Sequence, residues 1–378
     1  MLPIYLDYNA TTPIDKEVAG AMKPFLDELF GNPSSSHEFG IRTRKAVETA
    51  RNQVAGLIGC LREEIIFTSG GTESNNFAIK GVALANRHKG NHIITTSIEH
   101  PAVIEVCRYL ASNGFRITYL PVDEFGWVDP DNVKKAITSE TILITVMHAN
   151  NEVGTIQPVD EIGEIAKSHS ILFHTDAAQS VGKIPVDVNR MKVDLLSIAG
   201  HKLYAPKGIG ALYVRKGVKL EKLIHGADHE MNRRAGTENI LEISGLGMAC
   251  EIARRDLEKN MLHVSSMRNA LFKGITKAIP NVKLNGHPEN KLPNTLSLSF
   301  RGIEANTLLS ELSGIAASAG AACHTDNIEI SSVLKAMHVP EEFAMGTIRF
   351  STGKYTTQAE IERASELVIS AVKRLINR

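Results

Sequence analysis

The sequence predicts an α/β fold whose larger part is built on a mostly parallel sheet, followed by a smaller α+β unit. Two observations carry this. Between about residues 64 and 214, short β-rich apolar runs alternate with stretches of helical pattern, the texture of βαβ units. After about residue 255 the texture changes to one long amphipathic helix, shorter strands and a closing helix. A chain of 378 residues is also long enough for two packed units rather than one small core.

The elements follow in order. Residues 64–68 (EIIFT) form a strand, broken by Ser69-Gly70-Gly71, and a helix starts at Thr72. Residues 92–96 (HIITT) are a second strand, with a helix from about Pro101. Runs at 116–120, 142–147, 171–175 and 195–199 are further strands, and 159–168 is one of the intervening helices. An amphipathic helix is expected over about 257–278, strands at 295–300 and 347–351, and a last helix over about 358–376. The expected division is a larger unit over 14–256 and a smaller one made of 1–13 with 257–378.

Composition narrows the function classes. Lys+Arg and Asp+Glu both number 42, so the net charge is zero, without the basic excess of a nucleic-acid binder. The hydrophobic fraction of 43% and the charged fraction of 22% are ordinary for a soluble globular protein. No apolar run approaches the roughly 20 residues of a membrane span. No signal peptide is read in the first residues, MLPIYLDYNATTP. The four cysteines form no C-x-x-C pair, so neither a metal site nor a disulfide framework is expected, and the cytoplasm is the expected compartment.

Three motifs at successive strand ends carry chemistry. SGGTESNN (69–76) places glycines and Thr72 at a strand-to-helix turn, where backbone N–H groups and the helix N-terminus favour an anion; alone it is equally an ordinary tight turn. HTDAAQS (174–180) puts Asp176 at the C-terminal end of a strand, where a carboxylate can pair with a cationic ring nitrogen, with the amide of Gln179 three residues on. Alone, Asp176 reads better as a helix N-cap. SIAGHKLYAPKGIGAL (197–212) puts Lys202 after another strand, where burial would lower its pKa and make it a Schiff-base former; a lone lysine is far more often solvated. The case rests on the set: phosphate turn, acid and lysine, in that order.

The motifs DYNATTP (7–13), GNPSSSH (31–37), FTSGGTESNN (67–76), EHPAV (99–103), HANNEVGTIQP (148–158), HTDAAQ (174–179), GHKLYAPKGIGAL (200–212) and RRAGTEN (233–239) together resemble the cysteine desulfurases. These are pyridoxal 5′-phosphate (PLP) enzymes of the aminotransferase-like fold type I, with a seven-stranded type of large-domain sheet. The resemblance runs from about residue 3 to the C-terminus. It implies that Lys202 holds PLP as a Schiff base, that His100 stacks on the ring and moves protons, and that Asp176 pairs with the ring nitrogen. It implies that Gln179 and Asn151 touch the phenolic oxygen or substrate, and that Gly71, Thr72 and His201 bind the phosphate. Thr237 would reach the phosphate of a neighbouring subunit, which implies a homodimer. Asn32, Asn151 and Arg349 would bind substrate, Arg349 by clamping its carboxylate.

Cys323 is set apart by its surroundings. Small residues precede it and polar ones follow in SAGAACHTDNIEISSVL (318–334), which suits a partly exposed mobile loop rather than a packed core. Cys60, Cys107 and Cys250 sit among apolar or helical residues. The resemblance implies that Cys323, as thiolate, takes the sulfur of L-cysteine as a persulfide, leaves L-alanine, and passes sulfur to an acceptor such as an iron–sulfur scaffold or a tRNA thiolation protein. Three positions depart from the family pattern. Ala199 replaces a hydroxyl residue that contacts phosphate, HGADHE (225–230) replaces a glycine-rich run, and HTDN (324–327) replaces a T-S-x-S-type run after Cys323, a Cys-His-Ser/Thr-Asp pattern closer to selenocysteine lyases. Selenocysteine lyase is therefore the first alternative. Another PLP lyase or aminotransferase and a non-catalytic assembly partner follow it.

Overall fold

The computed structural model describes residues 2–324 and 327–377, with only the backbone described at 321–324 and 327–329. After a short first strand, β1 (Ile4–Tyr5), the large sheet takes β2 (Ile65–Thr68), β3 (His92–Thr96), β4 (Arg116–Leu120), β5 (Thr141–Thr145), β6 (Leu172–Asp176), β7 (Leu195–Ala199) and β8 (Gly210–Val214). Its order is β2-β8-β7-β6-β5-β3-β4. β8 runs antiparallel to both its neighbours, and every other pairing is parallel. The expected mostly parallel α/β sheet is present. β2, β3, β5, β7 and β8 are buried along their whole length, as strands covered on both faces must be, which is why they read as continuous apolar runs. Edge strand β4 exposes Arg116 and Tyr119, which blunts the open edge.

The second unit contains β9 (Val282–Asn285), β10 (Thr295–Phe300), β11 (Ile315–Ala316), β12 (Ser318–Ala319), β13 (Ala321–His324), β14 (Asn327–Ile330) and β15 (Thr347–Ser351). Its sheet is antiparallel in the order β12-β15-β10-β9. β1 pairs with β11, and Asp7 bridges to Ser351, so the N-terminal segment is woven into this unit before crossing to the larger one. The segment expected as a loop around Cys323 forms an antiparallel backbone hairpin, β13 with β14, in which Cys323 faces Ile328. The Cys323 side chain, with Thr325 and Asp326 of the HTDN run, lies outside the described residues.

The helix expected over 257–278 runs from Ile240 to Ala278. Its first half was hard to see because it is buried and small rather than amphipathic. A Cβ on Gly247 would lie 2.6 Å from the Ala50 backbone, so glycine is required for the close packing against helix Glu38–Ile58. The one helix serves two cores. Ile243, Leu246 and Cys250 join the cluster under the large sheet, and Met267, Leu271 and Ile275 join that of the small unit. Among the described residues no helix is long and apolar enough to cross a membrane.

Candidate active site

Parallel strands deliver the residues that follow them to one edge of the sheet. At that edge lies a cavity of about 370 Å³. The turn after β2 contributes Gly71 and Thr72, the turn after β3 contributes His100, and the turn after β5 contributes Asn151. Asp176 ends β6, with Gln179 just beyond, and His201 and Lys202 follow β7. Arg349, from the small unit, closes the wall. Nine of the expected site residues therefore share one cavity.

The helix that starts at Gly71 is 15 residues long and aims its N-terminus at this cavity, placing backbone donors there. An ideal Cβ on Gly71 would stand 3.1 Å from that of Ala199, so the turn packs directly on the end of β7. Asp176 is only 6% exposed. Its Oδ1 accepts from Ala178 N at 2.9 Å and its Oδ2 from Asn75 Nδ2 at 2.7 Å. Two donors thus hold the carboxylate in place, while Asn75 Oδ1 is buried without a partner.

His100 caps the helix Pro101–Ser112, its Nδ1 accepting from Ala102 N at 3.1 Å, so Nε2 carries the hydrogen in the neutral ring. Desolvation lowers its pKa; Asp176 opposes the shift and Lys202 reinforces it. The preceding Glu99 is buried and its pKa is pushed up to about 8, chiefly by burial. It accepts from Thr96 Oγ1 at 2.7 Å and Met147 N at 2.9 Å, tying the end of β3 to that of β5 beneath His100.

Lys202 Nζ donates to the carbonyls of Asn9 at 2.5 Å and Ala10 at 2.8 Å. Its pKa falls to about 8, first through burial and then through Arg349, with Asp7 and Asp176 opposing. His201 falls to about 4, again mainly through burial, so it is a neutral donor at pH 7. Arg349 is not idle in this structure. Its Nη2 donates to Asp7 Oδ1 at 2.7 Å and Ser318 Oγ at 2.9 Å, and its Nη1 to Asn151 O at 3.1 Å. Its Nε is buried without a partner, so that donor is unused.

Two expected residues lie elsewhere. Asn32 is exposed, with its side chain accepting from Ser34 N at 2.9 Å, and it does not line the cavity. Thr237 is exposed on a separate cleft with Arg234, which pairs with Glu73 at 2.9 Å. Asn9, Asp7 and Asn75 were missed as site residues. All three sit inside quoted motifs, DYNATTP and FTSGGTESNN, but nothing in their types separates a hub from a turn. The cavity suits PLP: a helix N-terminus for a phosphate, a fixed buried carboxylate for a ring nitrogen, and a lysine of lowered pKa for the aldehyde.

A family model described as aminotransferase class V matches residues 4–364. The chain is similar to "Cysteine desulfurase IscS" of Dictyoglomus turgidum, 52% identical over 98% of this chain and 95% of the relative. It is also similar to the protein of the same name from Methanosarcina thermophila, 50% identical over 99% and 93%. Among solved structures, a NifS-like protein aligns with TM-score 0.93 at 39% identity, covering 99% of this chain and 100% of the other. SspA in complex with cysteine aligns with TM-score 0.82 at 38% identity, covering 94% and 100%.

Proposed function

This chain belongs to the aminotransferase class-V family and is a PLP-dependent cysteine desulfurase, and we propose that Lys202, Asp176, His100 and Cys323 divide its chemistry among them. The observation that carries the assignment is the convergence of Lys202, Asp176 and His100 on one cavity with Arg349 at its wall. PLP, when bound, supplies an electron sink for the substrate's Cα.

The chain's residues do the rest. Arg349 binds the carboxylate of L-cysteine, its Nε adding a donor to those shared with Asp7. Lys202, whose amine is neutral or cationic near pH 8, removes the proton from Cα. Asp176, held by Asn75 and Ala178, keeps a proton on the ring nitrogen. Neutral His100 moves a proton at the face of the ring through Nε2. Cys323 attacks as thiolate: the substrate Cβ–Sγ bond breaks, an S–S bond forms, and the Cβ gains a proton to leave L-alanine. Gly71, Thr72 and His201 hold the phosphate. Asn151 and Gln179 serve the ring's phenolic oxygen or nearby substrate atoms.

The active form we propose is a homodimer in which Thr237, exposed away from its own cavity, serves the partner's phosphate, and Asn32 completes a substrate site. The persulfide on Cys323 passes to an acceptor such as an iron–sulfur scaffold or a tRNA thiolation protein, in the cytoplasm. The deciding experiment incubates the protein with L-cysteine and measures alanine and Cys323 persulfide together. Both should appear in equal amounts, and Cys323→Ala should abolish both. Full alanine formation in Cys323→Ala refutes the role of Cys323. Activity in that variant with selenocysteine alone identifies selenocysteine lyase chemistry, the alternative that HTDN brings in.

A further inference from the structure

Lys183 is a largely buried lysine with no part in the chemistry above. It lies behind the cavity wall, lining a separate space of about 30 Å³ with Tyr8, Tyr204 and Lys354. Its Nζ donates to Gln179 Oε1 at 2.6 Å and Asn9 Oδ1 at 3.1 Å. Burial lowers its pKa well below the ordinary lysine value, with Lys202 and Arg349 adding to the effect. Around this cluster Lys354 lines the same space, neutral His201 feels Lys183, and Asp7 and Asp176 act on Lys202.

The chemistry of the partners gives this lysine a meaning. Gln179 is 5% exposed and lines the cavity. Its amide is nearly isosteric end for end, so packing alone does not choose which end faces which way. Two neighbours choose. Lys183 Nζ donates to both of its oxygen partners, and the Asn9 carbonyl, which receives Gln179 Nε2 at 3.0 Å, has only acceptor capacity. The oxygen must therefore face Lys183 and the nitrogen must face forward. One Nε2 hydrogen goes to Asn9 O, and the second is left for the cavity. Asn9 is over-determined in the same way: its Oδ1 also accepts from Asn294 at 3.0 Å, and its Nδ2 donates to Thr295 Oγ1 at 2.8 Å.

We propose that Lys183 is a positioning residue that fixes the flip of the Gln179 amide, so that Gln179 presents N–H rather than a carbonyl oxygen to the phenolic oxygen of the cofactor. A lysine does this where a glutamine would not, because an amide at 183 offers either end. The inference rests on the reading that PLP is held at Lys202.

The test uses the PLP-loaded protein and reads the pH midpoint of its visible absorption band. An N–H on the phenolic oxygen stabilises its negative charge and disfavours a proton on the neighbouring imine nitrogen. Losing that donor raises the midpoint. Lys183→Met should raise it by about one pH unit. Lys183→Gln, which keeps a polar chain of similar length and guards against a folding defect, should raise it in the same direction. Lys183→Arg should restore the wild-type value. In a Gln179→Leu background, Lys183→Met should add no further shift. An unchanged midpoint in both the Met and Gln variants overturns the proposal, and so does a full additional shift in the Gln179→Leu background, which would make Lys183 a source of charge alone. Absence of any such band in the wild-type protein, with no borohydride trapping at Lys202, would instead refute the cofactor assignment.

Discussion

Changing Glu230 to Gln should destabilise the protein by about 3–5 kcal/mol, the cost of leaving one member of a buried ion pair alone. Glu230 belongs to HGADHE, the run that departs from the family pattern. The Arg51 and Glu230 side chains are 6% and 3% exposed. They meet in a two-pronged contact at 2.7 and 2.9 Å. Glu230 Oε2 also accepts from Phe67 N at 2.9 Å, and Arg51 lies 4.7 Å from the centre of the Phe67 ring. Burial works against the Arg51 charge, and Glu230 more than restores it, leaving its pKa raised. A glutamine keeps one acceptor but turns an NH₂ toward the guanidinium or the Phe67 N–H, so one buried donor loses its partner.

The effect should also be local. Glu230, Met231 and Asn232 all hold left-handed backbone, with φ of 48°, 56° and 60°, a strained run that the ion pair pins down. Urea unfolding followed by circular dichroism measures the loss, and amide exchange should rise first over residues 229–237. The Arg51→Met/Glu230→Leu pair should recover most of the stability, because no charge is left buried. A loss below about 1 kcal/mol in Glu230→Gln, the size expected of a surface pair, would refute the reasoning.

Other perturbations follow from the same geometry. In the apoprotein, folded Lys202 releases its proton at about 8 against an ordinary 10.5, so between these values the unfolded chain binds more protons and stability rises with pH. Lys202→Met should therefore stabilise the apoprotein below pH 8, with the advantage fading toward pH 10; a pH-independent difference contradicts this. Asp15 is held down to about 2: burial opposes its charge, but bonds from Lys354, Tyr355 and Glu17 N outweigh it. Its contribution is thus present above the ordinary carboxylate range and lost as pH falls toward 2, and Asp15→Asn should flatten acid unfolding in that window, measured by fluorescence. Ala199→Ser adds a hydroxyl beside the Gly71 turn, and one bond to a charged phosphate should tighten PLP retention on dialysis roughly tenfold. Unchanged retention would mean that the phosphate is already fully satisfied.

Much of this protein was legible in its residues. Apolar runs of four to six residues marked strands because a strand covered on both faces has no polar side to show. Gly70-Gly71, Asp176 and Lys202 marked strand ends because each follows such a run. Cys323 stood out because small residues precede it and polar ones follow. Local pattern works here because it records backbone period and burial, which depend on adjacent residues.

The tertiary structure decided which distant groups meet. Nothing in DYNATTP announces that Asn9 bonds to residues 151, 179, 183, 202, 294 and 295. Arg349, expected to wait for a carboxylate, is already held by Asp7, 342 residues away. The antiparallel insertion of β8 between β2 and β7 is equally silent in sequence, because backbone ladders carry no residue code. Residue types set what each group can donate, accept or ionise. The order of the strands and the path of the first dozen residues set who receives it. That is why the lysine we propose for the cofactor could be picked out from one dimension, and the lysine we propose to aim Gln179 only from three.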